Sequence, residues 1–428
     1  MNFLFKAALV STLCLSSAVC LAADESDQAA FSKKTFNALE FRNIGPAYMS
    51  GRIADIAVDQ TNPSTWFTAV GSGGVWKTTN SGTTWTPIFD DESVYSIGDV
   101  TIDPSNPNII WIGTGENSGG RHISFGDGVY KSLDGGKTWK NMGLKNSERI
   151  SDIIIHPQNS DVVWVSAQGP LWSKGGQRGL YKTVDGGENW TQVLAPADEW
   201  TGVTSLLLDP RNPDKLYAAT WSRQRTVASY VGTGEAAGIH TTDDGGKTWT
   251  KLKTGLPEGN MGKIGLAISP MQPDVLYATI ETDNRKGGFY RSENRGASWQ
   301  RVSDEVGGGT GPHYYQEIFA DPHQFDRVYI ASNYSKVSDD GGKTWTPINT
   351  KRKHVDDHAM AFHPTDRDFV LMGSDGGIYM SHDRMANWRY IANLPLTQFY
   401  KIAVDDAKPF YTIYGGTQDN STQGGPSQ

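Results

Sequence analysis

A chain of 428 residues with 48 Gly, 14 Trp and 17 Tyr against only 9 Met has the composition of many turns and short, aromatic-backed strands, which excludes a helical bundle. Hydrophobic residues at 37% and charged residues at 20% are those of a globular protein. A formal charge of −8, with no run of Lys or Arg that could follow a phosphate backbone, excludes nucleic acid as a main partner.

The first element in chain order is a leader. Lys6 precedes an apolar stretch from Ala7 to Leu21, which closes on Ala22-Ala23 before Asp24-Glu25. The stretch contains Ser and Thr and stops at small residues, so residues 1–23 read as a cleaved signal peptide rather than a membrane span. An exported product, periplasmic or extracellular and not membrane-spanning, is expected. Cys14 and Cys20, the only cysteines, fall in the removed piece, which leaves the mature chain without a disulfide, a thiolate nucleophile or a Cys-ligated metal.

Beyond the leader one octet recurs, approximating Ser/Thr-x-Asp-x-Gly-x-Thr/Ser-Trp. Its copies are centred on Asn80, Asp134, Asp185, Asp244, Asn294, Asp340 and a degenerate Asp383, and they end on Trp85, Trp139, Trp190, Trp249, Trp299, Trp345 and Trp388. Successive tryptophans are 54, 51, 59, 50, 46 and 43 residues apart, close to what a four-stranded propeller blade occupies. The turn has a structural logic: the Asp or Asn accepts backbone N–H groups, the Gly takes a conformation forbidden to side chains, and the Trp anchors the loop on the core. An EF-type calcium loop would need further carboxylates and a closing Glu, which are absent.

Around each octet lie three further strands, for example Ile53-Ala-Asp-Ile-Ala-Val-Asp59, Trp66-Phe-Thr-Ala-Val70 and Gly74-Val-Trp-Lys-Thr78. The expectation is an all-β, seven- or eight-bladed β-propeller over residues 36–428, with seven complete blades and an eighth begun at 398. Phe41-Arg-Asn-Ile-Gly45 resembles a fourth strand and is a candidate to close the last blade. The unfinished blade reads as part of a longer parent chain with a second propeller.

The residues Phe41-Arg-Asn-Ile-Gly-Pro46, Ser50-Gly-Arg-Ile53, Gly73-Gly-Val-Trp-Lys-Thr78, Gly113-Thr-Gly-Glu-Asn117, Ala167-Gln-Gly-Pro-Leu-Trp172 and Gly415-Gly-Thr-Gln-Asp-Asn420 resemble those of bacterial Asp-box (BNR-repeat) propeller proteins. That group is related to the sortilin N-terminal propeller and is often filed beside xyloglucanases. The resemblance covers nearly the whole mature chain. It implies a propeller fold and export, and transfers no chemistry by itself. A xyloglucanase of this kind would carry an Asp before the Gly-Gly of the first blade, where this chain has Ser72; Asp375 before Gly376-Gly377 holds a similar place in the seventh.

Two sets of candidate site residues follow. In a propeller the loops from second to third strand and from fourth to next first strand share one face, and here they are the long and irregular ones. That face holds the candidate ligand-binding residues His122, Trp172, Trp221, Arg223, His313, Tyr314 and His358, suited to a polysaccharide or to a peptide or protein segment. The second set is a column on the innermost strands that reads Asp55, Asp99, Asp152, Ser205, Gly265, Glu317, Ala359, Lys401. Its four carboxylates should share one level of the central channel, as hydrated groups or as the acid and base of a glycoside hydrolase. His354-Val-Asp-Asp-His358, with His363 nearby, straddles a loop and a strand start, so no metal or cofactor is assigned. The reading is an exported binding scaffold for an extended ligand, with a xyloglucanase-like glycoside hydrolase as the alternative.

Overall fold

The computed structural model describes residues 51–120, 123–284, 286–307 and 316–428. The leader and residues 41–45 lie outside them. Among the described residues there are seven four-stranded antiparallel sheets, each with its strands in chain order. Their innermost strands are Ile53–Val58, Ile97–Ile102, Ile150–His156, Thr201–Asp209, Met261–Ile268, Glu317–Ala320 and Asp357–Phe362, which define sheets 1 to 7. No helix among these residues is long and apolar enough to cross a membrane.

Local chemistry sets where each inner strand stops. Asp59 Oδ1 accepts the N–H groups of Thr61 (2.8 Å) and Asn62 (3.1 Å), and Asp103 Oδ1 accepts those of Ser105 (2.8 Å) and Asn106 (3.2 Å). These Asx turns reverse the chain onto the second strand. The octet works the same way at the far end of the third strand. Oδ1 of Asn80, Asp134, Asp185, Asp244, Asn294, Asp340 and Asp383 accepts the N–H four residues on, at 2.8–2.9 Å. The Gly two residues after the central Asp or Asn of each complete turn has positive φ, such as +89° at Gly136 and +92° at Gly342, and in the degenerate copy Met385 takes that conformation at +72°.

The octets also join neighbouring sheets. The indoles of Trp139, Trp190 and Trp388 donate to the carbonyls of Ile88 (2.6 Å), Met142 (2.7 Å) and Asn349 (2.8 Å) in the preceding sheet's outer strand region. In the other direction, the ammonium groups of Lys77, Lys131 and Lys182 reach the turn carbonyls of Gly135, Gly186 and Gly245 in the next sheet, at 2.8–3.0 Å. Apolar cores lie between adjacent sheets. One of them joins Ile53, Trp66 and Val70 of sheet 1 to Ala359, Leu371 and Ile378 of sheet 7, so the ring closes between its first and last sheets.

After Tyr390 the chain forms one more sheet of three strands, Phe399–Val404, Thr412–Thr417 and Thr422–Pro426. It is not needed to close the ring, because sheets 1 and 7 already share a core.

Candidate functional site

The channel carboxylates come first because the inner strands place them. Asp55, Asp99 and Asp152 each sit on an inner strand four residues before the turn, so the common register brings them to one level. Asp55 Oδ2 accepts the Val100 N–H from the inner strand of the next sheet (3.2 Å), and Asp99 Oδ2 accepts the hydroxyl of Thr101 on its own strand (3.0 Å). Inner strands of neighbouring sheets do not pair in a ladder, and Asp55 satisfies a group left over by that arrangement.

Electrostatics divide the set. Burial raises Asp55 to about 6. Burial, with the charges of Asp55 and Asp152, raises Asp99 well above the usual carboxylate range. Asp152 is raised by burial and by the charges of Asp55 and Glu317, against the smaller effects of the Leu206 N–H and Lys263. Glu317 differs in that its Oε1 pairs with the ammonium of Lys263 at 2.7 Å. One oxygen each of Asp152 and Glu317 is buried without a hydrogen-bond partner. Lys263 was not among the sequence candidates. It lies two residues before Gly265 of the carboxylate column, so reading the neighbouring row of the same strand would have found it.

On the long-loop face the candidates separate. Trp172 is 44% exposed, and with Tyr95, Phe125 and Tyr334 it makes a set of exposed aromatics on loops of this face. Trp221 and Arg223 are each 1% exposed. The Trp221 indole donates to Gly232 (2.7 Å), and the Arg223 guanidinium donates to Ser118 (2.9 Å) and Gly169 (3.2 Å), so both hold loops together from inside. His358 is 7% exposed and its Nε2 is 3.0 Å from Asp375 Oδ1. His122, His313 and Tyr314 lie outside the described residues.

A buried polar hub, not identified from the sequence as a unit, surrounds Asp375. The Arg52 guanidinium contacts Asp375 through Nε (2.6 Å) and Nη2 (3.1 Å) and donates to Glu116 Oε1 through Nη1. Gln418 Nε2 donates to Asp375 Oδ2 (3.0 Å), and Asn420 Nδ2 donates to the Asp375 carbonyl (3.2 Å). Burial would raise Asp375, but Arg52 and His358 outweigh it and hold the carboxyl well below its ordinary value. Arg52, Glu116, Gln418 and Asn420 come from three of the motifs that carried the family resemblance, and the fold brings those motifs together at the junction of sheets 1 and 7. Asp356, Asp375 and Asp419 also present oxygens within 4.8 Å of one another, the one such group among the described residues. The donors already on both oxygens of Asp375 fill the lone pairs a cation would need.

Comparison with known proteins places this architecture. The family model Sortilin-Vps10 (sortilin, neurotensin receptor 3) matches residues 127–260 and 287–423, more than half of the chain. The chain belongs to the Sortilin-Vps10 family. A probable oligoxyloglucan-reducing end-specific xyloglucanase of Neosartorya fischeri is 26% identical over 294 residues, covering 58% of this chain and 34% of that protein. A xyloglucanase of Paenibacillus sp is 23% identical over 349 residues, covering 72% and 32%. The chain thus spans about a third of the length of these relatives. Among solved structures, a GH74 enzyme of Niastella koreensis superposes with a TM-score of 0.65 at 16% identity, over 90% of this chain and 60% of that one. YCF48 bound to a D1 peptide superposes at 0.50 and 16% identity, over 80% and 97%. At these identities the structural matches establish the propeller fold.

Proposed function

We propose that this Sortilin-Vps10 chain works as part of an exported glycoside hydrolase acting on a xyloglucan-type polysaccharide. The observation that carries the reading is the contrast between two carboxyl groups that interact across one channel. Burial and neighbouring negative charge raise Asp152 well above the usual carboxylate range, while Glu317 is ion-paired with Lys263. A carboxyl group raised by burial suits the general acid, and one paired with a lysine suits the base or nucleophile. Asp152 would protonate the leaving oxygen, and Glu317 would act from the other side of the sugar. The exposed Tyr95, Phe125, Trp172 and Tyr334 offer apolar faces on which sugar rings stack. The xyloglucanase relatives support the substrate class.

Reducing-end release from xyloglucan tests this. Asp152→Asn and Glu317→Gln should each lower turnover by about a hundredfold or more while circular dichroism stays that of the parent. Turnover unchanged in both variants would overturn the reading.

A second reading, a binding scaffold without turnover, is favoured by one observation. Asp55 accepts the Val100 N–H of the next sheet, which is a structural use sufficient in itself. It predicts retention of xyloglucan or a peptide on the immobilised chain with no product released, and loss of that retention in Trp172→Ala.

A further inference from the structure

The contrast between Asp152 and Glu317 depends on which of them Lys263 serves. The ammonium acts on both. It donates to Glu317 Oε1 at 2.7 Å, and its charge pulls part of the way back the rise that burial imposes on Asp152. Asp152 Oδ2 and Glu317 Oε2 are both buried without a hydrogen-bond partner. A lysine carries a point charge with three donors at the end of a flexible four-carbon stem, so one ion pair does not by itself keep it on one carboxylate.

The loop of sheet 4 supplies the missing hold in two ways. The Lys263 ammonium lies 5.8 Å from the centroid of the Trp221 ring, within cation–π range. That ring is fixed in place: it is buried, its indole donates to the Gly232 carbonyl (2.7 Å), and the Arg223 guanidinium, anchored on Ser118 and Gly169, stands 5.3 Å from its centroid. The loop then forms a hairpin, Gln224–Arg225 against Tyr230–Val231, and returns to the strand that carries Lys263, where the Gly234 N–H donates to the Met261 carbonyl at 3.0 Å. Met261 opens that strand, and Lys263 is two residues further on. The charged groups about the ammonium are thus Glu317 and Asp152 on the inner strands and Arg223 at the ring, with Glu281 and Arg225 acting on Tyr230 in the same loop. Arg223 has the sign of Lys263 and repels it, which leaves the ring face and the carboxylates as its favourable neighbours.

We propose that Trp221 is a positioning residue, which together with the Gly234–Met261 bridge keeps Lys263 on Glu317 rather than on Asp152 and so decides which carboxyl group is the acid. The inference rests on the hydrolase reading and gives that site a regulating element, the hairpin loop of sheet 4. Without the ring, the ammonium moves toward the unpartnered oxygen of Asp152. Asp152 then falls, Glu317 rises, and the two carboxyl groups become alike.

Carbon-13 NMR titration of the side-chain carboxyls, on the whole chain without substrate, tests the proposal. In Trp221→Leu the proton affinity of Asp152 should fall at least about threefold and that of Glu317 should rise at least about threefold. Trp221→Phe keeps a ring with a weaker hold on a cation, so both should move in the same directions by less. Lys263→Met removes the charge itself and should raise both. A merely structural Trp221 would lower stability and leave the titrations in place. With xyloglucan as substrate, the acidic and basic limbs of the kcat/KM profile should draw together in Trp221→Phe. If Trp221→Leu does not fold, Trp221→Phe decides. Titrations of Asp152 and Glu317 in Trp221→Phe that superpose on those of the wild type or shift in parallel, or titrations unmoved in Lys263→Met, would overturn the proposal. The titrations need no turnover, so the positioning role and the hydrolysis succeed or fail separately.

Discussion

Four octets, those ending on Trp139, Trp190, Trp345 and Trp388, couple hydrogen bonds inside the turn to one outside it. Asp185 shows the first: its Oδ1 takes the Asn189 N–H (2.9 Å) and its Oδ2 the Asn189 side chain (2.8 Å). Those bonds hold the carboxyl at about 2, below its usual range, the Asn189 side chain contributing most. Trp190 shows the second, since its indole leaves the turn to reach the Met142 carbonyl of the sheet before. Trp190→Phe keeps the ring and removes the donor. It should cost roughly 0.5–1.5 kcal/mol, read from the urea midpoint at constant m-value. The octet was legible in the sequence because its hydrogen bonds span only four residues. The reach of the Trp to a neighbouring sheet was not, because that partner is 48 residues away.

At the scale of the strand, alternation and register explain what could be read. Every inner strand ends at a recognisable turn, so counting back from the turn gave Asp55, Asp99 and Asp152 a common level without any knowledge of the sheet. The long loops have no such reference point. The insertion of sheet 4 forms a hairpin, Gln224–Arg225 against Tyr230–Val231, and Arg225 ties it to the Gly119 carbonyl (2.9 Å) in sheet 2's loop. This folding-back buries Trp221 and Arg223, which their residue types and place on the long-loop face had suggested as ligand contacts. Aromatic and Arg residues on a loop look the same in sequence whether they face a ligand or clamp the loop, and only the long-range packing distinguishes them. Trp221→Ala should therefore act on stability first, lowering it by about 3–5 kcal/mol in chemical denaturation. An effect on ligand retention with stability intact would show that the ring is reached by ligand after all.

Over the whole molecule, the carboxyl groups pull stability in opposite directions with pH. The turn carboxylates, Asp185 and Asp340 at about 2 and Asp134 and Asp244 lower still, add stability that is present above the unfolded value of 3.8 and lost as pH falls below it. The channel works the other way. Asp55 keeps its proton to about 6 in the folded ring and only to 3.8 when unfolded, so its contribution is complete below 3.8 and is lost as pH rises through about 6. Asp99 and Asp152 are shifted in the same direction, as is Glu281, raised by burial to about 7. His240, lowered by burial to about 4, opposes them in part of that window, since it favours the fold most when neutral. Asp55 and Glu281 against one lowered histidine give a net loss as pH rises from about 5 to about 8. The midpoint of thermal unfolding should accordingly be higher at the lower pH. Asp55→Asn keeps an acceptor for the Val100 N–H and removes the ionisation, so the variant should lose part of that difference, on the order of 1–3 kcal/mol. A wild-type midpoint that rises from pH 5 to 8, or an Asp55→Asn profile that superposes on it, would mean that the channel carboxylates are ionised at little cost and that water or ions already neutralise them.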